Sequence, residues 1–239
     1  VVTRNSPTTY FVGPEGPGGP EFDLVQGFAE ELGVTLVINT VDSLSEILPH
    51  LISGASHMSA AGLSITKSRR EYLSFGYPYD TVDMHLIYKL GTGKPQSIEQ
   101  IIGKSIEVVA GSNHSDMLAS LSKVYPELTW SENTDVEVAN LMEKVLYEEL
   151  DFTIADSTEF DIQRHFYPDL RVALDLKNEY PIAWAYLKGD GDSLLTRGDE
   201  YLIKSKHSGL LAQINDRYYG HTKKFDYVGT RAFIRHFDK

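Results

Sequence analysis

The stretch 22–39, FDLVQGFAEELGVTLVIN, decides the fold class. Its apolar residues recur at the spacing of one helical face, at Phe22, Val25, Phe28, Ala29 and Leu32. Gly33 follows at the position typical of a helix C-terminal cap, and residues 34–39 then alternate as a strand does. The stretch therefore predicts a helix that leads directly into a strand.

The same pattern continues on both sides of this stretch. An apolar strand candidate at 1–3 precedes it, and Ser43 with Glu46 forms a capping box that opens a second helix. The order strand, helix, strand, helix predicts an α/β fold with a mainly parallel sheet. A second cycle follows, with strand candidates at 106–110 and 152–155. Two such cycles predict two α/β lobes.

Composition excludes several classes of function. The 239 residues carry 22 Lys and Arg against 34 Asp and Glu, a net charge of −12, which disfavours binding to nucleic acid or an anionic membrane. The absence of cysteine excludes disulfides, thiolate zinc sites and a cysteine nucleophile. No apolar run is long enough for a transmembrane helix. Because the chain opens on a core-like strand, we expect it to be cut from a longer protein.

The familiar catalytic and cofactor motifs are absent or incomplete. Gly103-Lys104-Ser105 resembles the end of a phosphate loop, but Ile98 stands where that loop needs glycine, and the motif precedes a strand instead of following one. The eight histidines show no metal-binding spacing, and Gly-x-Ser-x-Gly does not occur. We therefore predict no catalytic residue, no metal and no cofactor.

Three loops offer groups that together complement an amino acid. The segment 62–69, GLSITKSR, places Arg69 beyond a strand end, where its guanidinium fork suits a carboxylate. The turn 111–113 offers backbone N–H groups to an anion, and Asp156 ends an apolar strand where ligands bind in α/β sheets. Taken singly, they equally fit a surface arginine, an ordinary turn and a helix N-cap. Taken together, they predict a site for a small zwitterion.

The same segments resemble the periplasmic solute-binding proteins that capture polar amino acids. The resemblance runs over nearly the whole chain, through 21–24, 62–69, Phe75-Gly76-Tyr77-Pro78-Tyr79, 103–104, 111–112, 151–156 and 209–220. Other stretches resemble the N-terminal domain of the membrane-bound lytic murein transglycosylase F family, namely 2–7, 60–63, 125–128, 155–157, 217–221 and 225–228. The resemblance implies a two-lobe, type II periplasmic binding protein fold. Its discontinuous lobe one would comprise 1–88 plus 184–239, and lobe two 89–183.

The resemblance also implies a role for each candidate residue. Arg69 would bind the ligand carboxylate, which the backbone N–H groups of Ser112 and Asn113 would share. Asp156 would bind the ammonium group. The remaining expected contacts come from lobe one, at Gly62, Ser64, Asn5 and Tyr10.

In that family a solute-binding-like module precedes a catalytic domain, whose Glu-Ser-His motif this chain lacks. We therefore expect a monomeric, non-catalytic, periplasmic module that regulates a C-terminal transglycosylase domain, in a parent protein attached to the outer membrane. Two alternatives stay open. The chain could be a free amino-acid-binding protein of an ABC transporter, or a dehydratase built on the same fold.

Overall fold

The computed structural model of the chain describes residues 1–189 and 193–224, except for the side chains of 221–224. The strands of this part are Val2–Arg4 (β1), Phe11–Gly13 (β2), Gly16–Gly18 (β3), Asn39–Val41 (β4), Leu73–Phe75 (β5), Asp80–Lys89 (β6), Glu107–Val109 (β7), Ser131–Asn133 (β8), Thr153–Asp156 (β9), Leu170–Ile182 (β10) and Ala185–Leu187 (β11). The α-helices are Pro20–Leu32 (α1), Ile47–Ile52 (α2), Asn113–Leu121 (α3), Val138–Leu146 (α4), Ser157–Phe166 (α5), Ser193–His207 (α6) and Leu210–Lys224 (α7). The match expected at 225–228 lies outside the described residues.

The decisive stretch forms the predicted helix but only the end of the predicted strand. Gly33 ends α1 in the left-handed conformation, with φ 68°, and its N–H reaches the carbonyl oxygens of the last turn. The strand expected at 34–39 is wrong for most of its length, because β4 begins only at Asn39. Its partner β1 starts at Val2, so residues 34–38 have no facing strand residues in this pair.

Each lobe combines parallel and antiparallel strand pairs. In the first lobe β1 pairs in parallel with β4, and β11 pairs antiparallel with β5. Single bridges from Ser59 to Val2 and to Ala185 join these two pairs. In the second lobe β7 and β8 are parallel, whereas β6 pairs antiparallel with β9 and β10. The expected mainly parallel sheet is therefore half right, because the two longest strands run antiparallel.

Strands β6 and β10 form a long ribbon that connects the two lobes. They pair from Asp80 with Ile182 at one end to Lys89 with Leu170 at the other, with register shifts along β10. The sequence suggests residues 88–93 as one connecting stretch, so the ribbon is a finding of the structure. The exact lobe boundaries, 1–88 plus 184–239 and 89–183, stay a prediction.

Each lobe is stabilised by its own buried apolar clusters. In the first, Trp184 is fully buried and stacks on Tyr201 at 6.2 Å between ring centroids, with Phe28 packed beside both. In the second lobe, Leu118 and Ile154 are fully buried between the strands and the helices that pack on them. Among the described helices, none combines the length and the apolarity that crossing a bilayer requires.

Candidate ligand-binding site

A buried carboxylate fixes the start of the 62–69 loop. Gly62 has φ 62°, a backbone conformation that favours glycine, and its N–H donates to Glu21 Oε1 at 3.0 Å. The other Glu21 oxygen accepts from Trp184 Nε1 at 3.0 Å, and the hydroxyl of Tyr79 also donates to this carboxylate. Burial raises the pKa of Glu21, while these hydrogen bonds act to lower it. Glu21 thus anchors the loop to the core of the first lobe.

Arg69 reaches across the cleft between the lobes. Its Nη1 donates to the Ser64 carbonyl at 3.0 Å, and its Nη2 donates to the Gly111 carbonyl at 3.2 Å. Burial lowers the pKa of Arg69 to about 10; the nearby charge of Arg4 acts in the same direction, while Asp116 and Asp156 oppose it. The guanidinium therefore lies between the two loops that the sequence singles out.

The turn before α3 supplies a cap and a cross-lobe contact. Ser112 is the N-cap of this helix: its Oγ accepts from the Ser115 N–H at 3.3 Å and donates to the Val109 carbonyl at 2.6 Å. Asn113 is buried, and its Nδ2 donates to Ser64 Oγ at 3.0 Å. The Ser112 hydroxyl is thus committed to α3 and to the end of β7. Its N–H, expected to bind the ligand carboxylate, also donates to the Val109 carbonyl at 3.3 Å, whereas the Asn113 amide joins the lobes.

Asp156 directs its carboxylate into the cleft. It occupies the N-cap position of α5, but its side chain accepts no capping hydrogen bond from that helix. Instead its Oδ1 lies 3.1 Å from His114 Nε2 and 3.3 Å from Asn113 Nδ2. The alternative role of Asp156 as a side-chain cap therefore does not describe this structure.

Two adjoining cavities lie at these residues. The larger has about 630 Å³ of empty space, part of it open to solvent, and the smaller about 340 Å³. They share four bordering residues: Arg4, Gly62, Asp156 and Glu159. The smaller adds Arg69, Ser112 and Asn113, whereas the larger extends towards Tyr79, Asp80 and α7. The cavities therefore bring groups from both lobes to one place.

Asn5 and Tyr10 are not brought to these cavities. After β1 the chain folds back on itself, and the Ser6 N–H donates to the Tyr10 carbonyl at 2.8 Å. Asn5 is exposed and borders a different groove beside α4, whereas the Tyr10 ring packs on Phe22 at 5.7 Å. Of the other six expected binding residues, five border these cavities, and Ser64 joins them through hydrogen bonds with Arg69 and Asn113.

Sequence reasoning missed Arg4, His114 and Glu159, which border the smaller cavity. Arg4 follows a buried strand with no motif around it, and Glu159 looks like an ordinary residue in the first turn of a helix. His114 was adjacent to the predicted turn, so its proximity to Ser112 and Asn113 was the one available signal. Burial raises the pKa of Glu159, a shift that the charge of Arg4 opposes.

Three of these side chains are close enough to raise the question of a metal. Donor atoms of His114, Asp156 and Glu159 lie within 4.8 Å of one another. However, Arg4 lies 3.7 Å from the Glu159 carboxylate, so a cation would meet a positive charge. The buried Nδ1 of His114 also has no partner among the described residues, whereas metal-binding histidines normally donate from their second nitrogen. The cluster fits a hydrogen-bonding site better than a metal site.

The fold and the cleft define a class of protein, the two-lobe binding proteins. The chain belongs to the bacterial extracellular solute-binding proteins, family 3, whose family profile matches residues 1–221. Similar proteins include the membrane-bound lytic murein transglycosylase F of Pseudomonas putida, at 39% identity over 237 residues, covering 99% of this chain and 49% of that protein. The homologous protein of Saccharophagus degradans is 36% identical over 233 residues, covering 98% of this chain and 46% of that protein. The chain thus spans about half the length of these relatives.

Solved structures share the fold at low sequence identity. An ancestral arginine-binding protein bound to arginine has a TM-score of 0.80 and 22% identity, covering 91% of this chain and 96% of that chain. A histidine kinase sensor domain with similarity to periplasmic binding proteins has a TM-score of 0.77 and 18% identity, covering 92% and 96%. These likenesses confirm the predicted two-lobe periplasmic binding protein fold.

Proposed function

We propose that the chain binds a small zwitterionic ligand, an amino acid or a small peptide-derived solute, in the cleft between its lobes. One observation carries this proposal: a guanidinium and a carboxylate, Arg69 and Asp156, border one cavity from opposite lobes. A guanidinium fork complements a ligand carboxylate, and a carboxylate complements an ammonium group. The amide of Asn113, the hydroxyl of Ser64 and the helix N-terminus at Ser112 add hydrogen-bonding groups around them.

Ligand binding would favour the closed arrangement of the lobes. A ligand that contacts Arg69 and Asp156 at once binds only when the two lobes are close, so it stabilises that state by its difference in affinity. Ribbons such as β6 with β10 allow hinge closure with little change inside each lobe. The protein would therefore report the presence of ligand as a change in lobe position.

We further propose that this closure regulates a lytic murein transglycosylase domain in a longer, outer-membrane-attached periplasmic protein. The support is the similarity of nearly the whole chain to about half of proteins that bear the transglycosylase name. The chain itself would bind and not cleave, as a monomer. The alternative, a free binding protein of an amino acid ABC transporter, has support from a solved structure of that description at 21% identity. Sequence beyond residue 239 separates the two, because only the first requires a catalytic domain.

The experiment that tests binding is a thermal-shift screen of the purified chain against the amino acids, followed by calorimetry of the best one. We expect at least one amino acid to raise the melting temperature, because a ligand that binds only the folded state stabilises it. The α-amide and the deaminated form of that amino acid should bind much more weakly. Equal binding of all three forms would contradict recognition of a zwitterion.

A further inference from the structure

Arg4 is a buried cation that no sequence motif predicts. It comes from the end of β1 in the first lobe and is 7% exposed. Its Nη1 lies 2.8 Å from Glu137 Oε2, at the start of α4, and its Nη2 lies 3.7 Å from Glu159 Oε1, in the first turn of α5. Its buried Nε has no hydrogen-bond partner among the described residues. Arg4 thus ties the first lobe to two carboxylates of the second.

The charges around the cleft show what Arg4 changes. The smaller cavity is bordered by two cations, Arg4 and Arg69, and by two carboxylates, Asp156 and Glu159. Its wall is therefore balanced, as a net-neutral ligand requires. The larger cavity also borders Asp80 and Glu21, so acid is in excess there, and Arg4 reduces that excess. Without Arg4, both cavities would attract a ligand with an additional positive charge.

We propose that Arg4 determines the ligand charge that the cleft accepts, favouring net-neutral zwitterions over ligands with a second cationic group. This inference rests on the proposed binding of an amino acid. A second ammonium group beside Glu159 would compete with Arg4, which that carboxylate already faces, and would meet the like charge of Arg4. Taking Glu159 from Arg4 would leave this buried guanidinium with Glu137 as its one remaining ion-pair partner of the two described here, which is costly. The residue therefore discriminates by repelling the wrong ligand, as specific sites commonly do.

The test compares binding of L-glutamine and L-lysine, which have similar length but differ by one charge. Calorimetry on the full chain gives the ratio of the two dissociation constants for the wild type and for Arg4→Gln. We expect the variant to shift this ratio towards lysine by on the order of tenfold or more, since one charge a few ångströms from the ligand is removed. Arg217→Gln is the matched control, because Arg217 pairs with Asp23 at 2.7 Å on the exposed surface, and its ratio should stay unchanged.

A second variant keeps the test decisive if Arg4→Gln folds poorly. Glu159→Gln removes the opposite charge, so its ratio should shift towards glutamine. The double variant removes one charge of each sign, so its net charge is unchanged and its ratio should return close to that of the wild type. If the wild type binds glutamine or lysine and either single variant keeps the wild-type ratio of dissociation constants, the role of Arg4 is overturned. The proposed function would still stand in that case. If the wild type binds none of the amino acids, the proposed function fails and this inference fails with it.

Discussion

Replacing Arg69 by alanine is the sharpest test of the site. In the structure its guanidinium donates to two backbone carbonyls, at 3.0 and 3.2 Å, one on each side of the cleft. A ligand carboxylate would replace weaker neutral acceptors with a charge-assisted, two-pronged contact. Losing such a contact costs about 2–5 kcal/mol. Because the Ser64 and Gly111 carbonyls accept from these same donors, we expect the lower half of that range, about 2–3 kcal/mol, or a roughly 30- to 150-fold weaker dissociation constant.

The assay is calorimetry with the amino acid that gives the largest thermal shift. Arg70→Ala is the matched control, because the neighbouring Arg70 is exposed and its loss changes net charge equally. Arg69→Lys keeps the charge but loses the planar fork, so its affinity should fall between those of the wild type and Arg69→Ala. An Arg69→Ala affinity within about threefold of the wild type, in a variant that melts normally, would refute the assignment of Arg69.

Three further predictions concern other parts of the molecule. Asp156→Asn should weaken binding of an amino acid far more than binding of its deaminated analogue, and equal losses by calorimetry would reduce Asp156 to a structural residue. Glu21→Gln should lower the free energy of unfolding in urea by about 1–3 kcal/mol, because an amide N–H₂ then faces a buried donor such as Trp184 Nε1. Burial raises the pKa of Glu21, so the folded state keeps the Glu21 proton at a higher pH than the unfolded state does. The free energy of unfolding should therefore fall as pH rises above the ordinary value of 4.5. This fall should be smaller in Glu21→Gln, which lacks the titrating group. Incubation of the chain with murein sacculi should release no anhydro-sugar products by mass spectrometry, and products abolished by a cleft carboxylate substitution would make the chain an enzyme.

Local signals predict the helices of this fold better than its longest strands. Helix α1 carries an apolar face and a terminal glycine, which are both read within a dozen residues. Strand β6 also alternates, with Val82, Met84 and Leu86 buried, but its charged first residues resemble a loop. In strand β10 the alternation of buried and exposed residues is interrupted by register shifts and by Glu179, which has a left-handed backbone conformation. Pairing between strands about 90 residues apart is a property of the folded chain that no short window contains.

The candidate site shows a similar division. Arg69 and Asp156 stand beside recognisable turns and strand ends, so their side chains were predictable from local context. Arg4 enters the cleft only because the lobes meet there, and its partners are more than 130 residues away. Asn5 and Tyr10 were expected from a position in a related motif, but a local backfold of the chain takes them elsewhere. Sequence thus predicts groups that a motif fixes, and misses those that the meeting of two lobes creates.

The 62–69 loop is hydrogen-bonded to one end of the connecting ribbon. The Ile65 N–H donates to the Pro181 carbonyl at 2.9 Å, and the Ala183 N–H donates to the Leu63 carbonyl at 3.1 Å. A ligand bound to this loop would thus act directly beside the ribbon that connects the lobes. Under the proposed function, a small change of angle at this connection would move the outer surfaces of the lobes further than it moves the 62–69 loop.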